Sequence, residues 1–338
     1  MAFLSGWDYR KPVTISRASG AVTNYQLKIL VGESSGASGE NVDCGGHCKT
    51  DFSDLRFTPS DGTTLLDYWI ESVSGTTPNQ LATVWVEFDS IGTGATTFYM
   101  YYGNAEASSL SSGKNTFILF DDFEWGSNGD NLNTGANITW TTAYGTSIST
   151  AQKWSGTRSG RVPQHASRAL MSCDLAQSDN VAWRTRVYRA TANTYVPVNI
   201  YGGSAKRIYW DTQTGGAIRY YDGSYKSAGG TLAAATWTLL EFRNINFAAG
   251  TYDIWKDDSV IKSGATMHSD GGQNGKLYIL GDDVGSGDDV FWDNFLVRHF
   301  RATEPAWGSW GSEEAPGGGG AFGAHNYYRF LLAAVGGR

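Results

Sequence analysis

The chain has 338 residues, of which 41% are hydrophobic, 14% aromatic and 17% charged, with a net charge of −7. That balance excludes global disorder and argues against a nucleic-acid binder working through a basic surface, and no run of about 18 apolar residues is present to span a membrane. The length fits two ordinary domains, and the 13 Trp, 18 Tyr and 15 Phe point to β-structure or a binding surface.

The first hundred residues alternate with period two. Tyr25, Leu27, Ile29 and Val31 share one face of a predicted strand, opposite Gln26 and Lys28. Leu66, Tyr68 and Ile70 oppose Asp67, Trp69 and Glu71, and Ala82, Val84, Val86 and Phe88 oppose Thr83, Trp85 and Glu87. Phe98, Met100 and Tyr102 oppose Tyr99 and Tyr101. Residues 32–49 form a Gly/Ser-rich insertion, read as an exposed loop. Within it Cys44 and Cys48 bracket His47; a loop disulfide, half a metal site and free thiols all fit that spacing. The best helix candidate, 105–112, is short.

Residues 105–116 are small and polar and read as a linker. Eleven short strands are then predicted: 117–121, 137–142, 168–173, 181–189, 195–201, 207–211, 217–221, 237–243, 252–256, 276–280 and 290–300. Their close spacing and Gly, Asn and Asp punctuation describe a two-sheet sandwich. Trp307 and Trp310 close it. Pro316 and Gly317–Gly320 make a tether, and Tyr327, Tyr328, Phe330, Leu331 and Leu332 form an aromatic-apolar tail suited to docking on a partner. The expected architecture is all-β: two tandem β-sandwich (jelly-roll-like) domains at 1–104 and 117–311, with a Gly-tethered C-terminal segment at 312–338.

Trp7–Ile15, Asp54–Thr58, Asp61-Gly-Thr, Leu66–Glu71, Ala82–Val86 and Phe98–Asn104 resemble a family of unnamed function found in archaeal and bacterial surface proteins and in phage proteins. The resemblance implies a small β-sandwich without catalytic residues, commonly followed by a lectin-like sandwich. Residues 117–300 resemble concanavalin-like sandwiches and jelly-roll carbohydrate-binding modules through Phe120–Glu124, Trp154–Gly160, Trp237–Phe242 and Phe291–Val297. By that resemblance Asp122, Glu124 and Asp293 are the positions for a structural Ca²⁺, an ion that takes such oxygen ligands. The acidic run 281–289 is a second cation candidate.

Catalytic patterns are thin. Gly32-Glu-Ser-Ser-Gly36 fits Gly-x-Ser-x-Gly, but no helix follows to make a nucleophile elbow. The two nearby carboxylates that glycoside hydrolysis requires are not paired on one predicted strand face, and Glu241 reads as a lone acid. The chain is therefore expected to be non-enzymatic, with a glycoside hydrolase or polysaccharide lyase as the alternative. Sugar rings pack their C–H faces on aromatic rings while polar neighbours bond the hydroxyls. Tyr209, Trp210, Tyr220, Tyr221 and Tyr225 are the ligand candidates, divided between a core face and an exposed one. The N-terminus lacks a basic-then-apolar leader. The expected setting is a virion or extracellular surface, with a glycan or host receptor bound by the second sandwich and other assembly subunits by the tail.

Overall fold

The computed structural model describes residues 2–36, 39–135, 137–165, 169–175, 180–202, 206–269, 275–280 and 288–317. The chain is all-β, as expected, with two sandwiches. In the first, one sheet orders Ala306–Trp310, Tyr9–Ser16, Thr96–Tyr102 and Arg56–Pro59, and the other orders Val42–Asp43, Val22–Gly32, Leu81–Ile91 and Tyr68–Ser74. The alternation read in the sequence sets their faces. Tyr25, Leu27, Ile29, Val31, Val84, Val86, Phe88, Phe98, Met100 and Tyr102 all enter one core.

The second sandwich has two eight-stranded sheets. One, here the seam sheet, orders Ser147–Ser149, Ser159–Val162, Val290–His299, Val181–Arg189, Trp237–Asn246, Thr251–Lys256 and Ser259–Thr266, with Leu119–Asp121 paired onto Val290–His299. The other, the open sheet, orders Tyr225–Thr231, Ala217–Tyr221, Lys206–Thr212, Val198–Tyr201, Lys276–Leu280, Leu170–Asp174 and Thr141–Ala143, with His268–Ser269 paired onto Lys206–Thr212. Trp140, Trp183, Trp210 and Trp292 are fully buried between them.

The expected boundary at residue 311 is corrected. Ala306–Trp310 does not close the second sandwich; it returns to pair antiparallel with Tyr9–Ser16, aligning Val13 with Trp310 and Ile15 with Trp307. An unpaired edge strand there would expose a row of backbone donors and acceptors, and the returning strand covers it. Trp307 packs edge-on against Phe88 and stacks on Trp310. Beyond it, Glu314 binds Arg10 at 2.7 Å, and Glu313 accepts from Tyr102 at 2.8 Å. The predicted helix at 105–112 is absent; the only turn of helix nearby is Gly113–Thr116. The 105–116 segment is held to the first sandwich by Lys49 at Ala107, Arg56 at Ser108 and the Ile70 amide at Ser111.

The face of the first sandwich that carries Gln26, Lys28, Trp69, Glu71, Trp85 and Glu87 packs on the seam sheet. Trp69, Trp85, Phe117, Phe120 and Leu296 form an apolar cluster. Beside it Glu71 binds Arg184 at 3.1 Å, Arg184 binds Glu241 at 3.2 Å, and Arg298 binds the other oxygen of Glu241 at 3.2 Å. None of these four side chains is more than 4% exposed. Burial opposes the charge on Glu241, but Arg298, Arg184 and Arg243 overcome it and hold its carboxyl down to about 2. Trp85 donates to Glu71 at 2.8 Å, and both guanidinium groups lie over its ring. No helix among the described residues is long and apolar enough to cross a membrane.

Two outcomes follow from the seam. Glu241→Ala leaves Arg184 and Arg298 buried without their shared carboxylate, and calorimetry should show a loss of about 3–5 kcal/mol. The second concerns Glu87, which burial, then Asp67 and Asp89, push up to about 7 from an ordinary 4.5. Between those values the folded chain holds a proton that the unfolded chain has released, so stability falls as pH rises. Glu87 is partly exposed, so solvent screening limits the fall to about 1 kcal/mol. Urea unfolding at pH 5 and pH 8 should show this slope in the wild type and a flatter one in Glu87→Gln.

Candidate functional site

With one sheet of the second sandwich committed to the seam, the outer face of the open sheet is built by the residues of opposite parity to the core. Val198, Ile200, Ile208, Trp210, Ile218, Tyr220, Leu277 and Ile279 point inward. Side chains alternate along a strand, so Asn199, Tyr201, Arg207, Tyr209, Asp211, Arg219, Tyr221 and Tyr278 project outward. Register aligns them across the strands: Tyr278 opposite Asn199, Asn199 opposite Tyr209, and Tyr221 opposite Tyr225. Tyr209 and Tyr221 meet edge to face at 5.7 Å, and Tyr221 and Tyr225 at 5.0 Å. The result is a transverse aromatic row over five strands. Tyr201 extends it sideways, 5.4 Å from Tyr278.

Polar groups fix these rings. Tyr195 donates to Asp211 at 2.5 Å; its hydroxyl lies 3.1 Å from that of Tyr209, which lies 3.2 Å from that of Tyr225. An ionised carboxylate only accepts, so the hydroxyls line up as donors toward Asp211. Burial, then the bond to Asp211, pushes the Tyr195 phenol far above its ordinary range. Burial and the Tyr209 bond raise Tyr225 to about 12. Arg219 grips both oxygens of the fully buried Asp211 and lies 3.7 Å over the Tyr225 ring. Arg207 donates to the Tyr201 hydroxyl at 2.8 Å and sits 5.2 Å from the Tyr209 ring centre. At the far edge, Lys226 and Thr266 bind Asp222.

This placement divides the sequence-predicted ligand residues. Tyr209, Tyr221 and Tyr225 are on the outer face; Trp210 is fully buried and Tyr220 is 5% exposed, both in the core. Those two are corrected to core residues, because strand alternation sends them inward against residues such as Phe242. Sequence reading missed Tyr195, Asn199, Tyr201, Arg207 and Tyr278. Parity alone would have found Asn199, Tyr201 and Tyr278, since each alternates with aliphatic neighbours in its strand.

The predicted calcium positions anchor loops. Glu124 accepts the Thr157 and Arg158 amides, each at 2.8 Å. Gly156 permits that approach: its φ is +59°, and a β-carbon there would lie 2.3 Å from the Glu124 carboxylate. Asp293 accepts the Trp154, Ser155 and Asn294 amides, and Asp122 accepts that of Glu124. The Glu124 charge acts on both Asp122 and Asp293; among the described residues no three His, Cys, Asp or Glu side chains are grouped to hold a metal. Cys44, Cys48 and Cys173 are free thiols. Glu241, read as a lone acid, is the centre of the ionic seam. The tail residues Tyr327, Tyr328, Phe330, Leu331 and Leu332 lie outside the described residues, as does most of the acidic run 281–289.

Residues 51–143 match a family described as a domain of unknown function, DUF2341. The match begins later than the motifs quoted above and continues past the linker into the second sandwich. No curated protein matches the chain. Among solved structures it is similar to the conserved carbohydrate esterase of the Shiga toxin-encoding bacteriophage phi24B, at 15% identity and TM-score 0.38, over 48% of this chain and 90% of that one. It is similar to the receptor-binding domain of botulinum neurotoxin type G, at 14% identity and TM-score 0.38, over 56% of this chain and 49% of that one. It is also similar to the tandem CBM22 domains of a Paenibacillus barcinonensis protein, at 8% identity and TM-score 0.30, over 88% and 80%.

The division between core and face is directly measurable. Trp210→Ala should cost about 3–5 kcal/mol by leaving a core cavity. Tyr225→Ala, at an exposed edge position, should change stability by less than about 1 kcal/mol. Thermal melts of the two variants report both values.

Proposed function

We propose that this chain is a non-enzymatic recognition protein of a virion or cell surface, and that the open sheet of its second sandwich binds a glycan. The observation that carries the reading is the transverse tyrosine row, held by hydroxyl and arginine contacts and set on the sheet that the first sandwich leaves uncovered. Tyrosine supplies apolar ring faces for sugar C–H groups and hydroxyls for sugar oxygens at small cost in rotamer entropy. Hydrolysis would need an acid and a second carboxylate within about 5–10 Å. On this face Asp211 has both oxygens engaged by Arg219 and Tyr195, and Asp222 is held down to about 2, first by its bond to Lys226. That supports binding over cleavage.

The first sandwich serves as a mount. Its resemblance to domains of surface and phage proteins supports the setting, and the ionic seam supports a rigid link between mount and binding face. A glycan array is the test. The wild type should bind at least one glycan class without cleaving it, and Tyr209→Ala with Tyr225→Ala should reduce binding about tenfold or more while the fold persists. Cleavage of the bound glycan would favour the hydrolase alternative. An array with no ligand would remove the reading.

A further inference from the structure

Asn199 is the one outward residue in the middle of the row that is not aromatic. It is 5% exposed, and its side-chain oxygen Oδ1 is buried without a hydrogen-bond partner. Val198 and Ile200 on either side enter the core, so Asn199 points to the outer face, between Tyr209 and Tyr278. A buried acceptor left unsatisfied costs stability. Replacing it by an aliphatic side chain would be the stabilising choice for a position with no other task, and residues that sacrifice stability in this way concentrate at functional sites.

Resting on the glycan reading above, we infer that the ligand is an unbranched glycan lying across the strands, and that Asn199 determines its specificity by accepting a sugar hydroxyl at the centre of the row. The geometry fits a linear occupant. Strands are about 4.8 Å apart, so the four spacings from Tyr278 to Tyr225 span about 19 Å. The row is open at the Tyr225 end, where that residue is 48% exposed, so a chain continuing past the sheet meets no wall among the described residues there. The outward residues carry hydroxyl, amide and guanidinium groups among the rings, which suits a polyhydroxylated partner better than an apolar peptide side chain. Reaching Oδ1 requires the partly exposed Tyr278 ring to turn aside, while Tyr209 stays held through its hydroxyl contacts. A sugar that offers a hydroxyl at that point gains an otherwise unused acceptor, whereas one lacking it leaves the acceptor unpaired.

The test uses the full chain and unbranched oligosaccharides, from dimers to octamers, of cellulose, xylan, mannan and polygalacturonate, titrated by calorimetry beside a broad glycan array. Affinity for one series should rise with length through about four or five units and then level off. Asn199→Leu should weaken that ligand about 10- to 100-fold while its melting temperature holds or rises; Asn199→Ala, with a smaller side chain, should show the same loss of binding. If the wild type binds a glycan but Asn199→Leu and Asn199→Ala bind it equally well, or if a dimer binds as tightly as an octamer, the inference is overturned and the broader glycan reading stands. If the wild type binds no oligosaccharide and nothing on the array, both fall together.

Discussion

The fold depends on a buried chain of alternating charges, Glu71–Arg184–Glu241–Arg298, that crosses from one sandwich to the other. Its four members come from four strands in two domains, and the Glu71–Arg184 link forms only when both domains are folded and docked. Desolvating such ions is costly, and the cost is offset only when the geometry is good and spare donors and acceptors are used. Here they are: Trp85 bonds Glu71, Arg243 adds a third cation to Glu241, and Glu304 takes the outer end of Arg298 at 2.6 Å. Ionic pairs set orientation more strictly than apolar contact does. The adjoining Trp69, Trp85, Phe117, Phe120 and Leu296 cluster supplies area, and the charges supply register.

That constraint decides which surface is left for function. The seam consumes one face of each sandwich. The returning strand Ala306–Trp310 then covers the edge of the first sandwich and ties the end of the second back to its start. Among the described residues, what remains uncovered on the second sandwich is the open sheet, and its outer residues include the tyrosines. The same alternation that buries Trp210 and Tyr220 presents Tyr209 and Tyr221. The hydroxyl chain to Asp211 and the Arg219 stack then hold these rings in one arrangement, a preorganisation that lowers the entropy cost of binding.

Much of this was legible in the sequence. Period-two alternation gave four of the strands of the first sandwich with the correct inward face, and it also set Trp69 with Glu71, and Trp85 with Glu87, on the opposite faces of their strands. What it could not show was that this polar and aromatic face is buried against a second domain, because Glu71 and its partner Arg184 lie 113 residues apart in sequence, and Glu241 lies 57 residues from each of Arg184 and Arg298. The short strands at Ser147–Ser149, Ser159–Val162, Tyr225–Thr231 and Ser259–Thr266 were missed because they are rich in Ser, Gly and Lys, and their pairing is set by neighbours rather than by their own propensity. Trp307 and Trp310 were assigned to the wrong sandwich for a similar reason: aromatic content predicts burial, not the sheet that provides it. Within the site, a cluster read by density alone took in both parities, and only the core contacts separate Tyr209 from Trp210.

The central claim is that recognition happens on the open sheet while the seam stays fixed, and hydrogen–deuterium exchange with and without a bound oligosaccharide tests it most directly. The account predicts added protection in Val198–Tyr201, Lys206–Thr212 and Lys276–Leu280, with Val181–Arg189 and Trp237–Asn246 unchanged. Protection confined to the first sandwich, or to the seam strands, would contradict it.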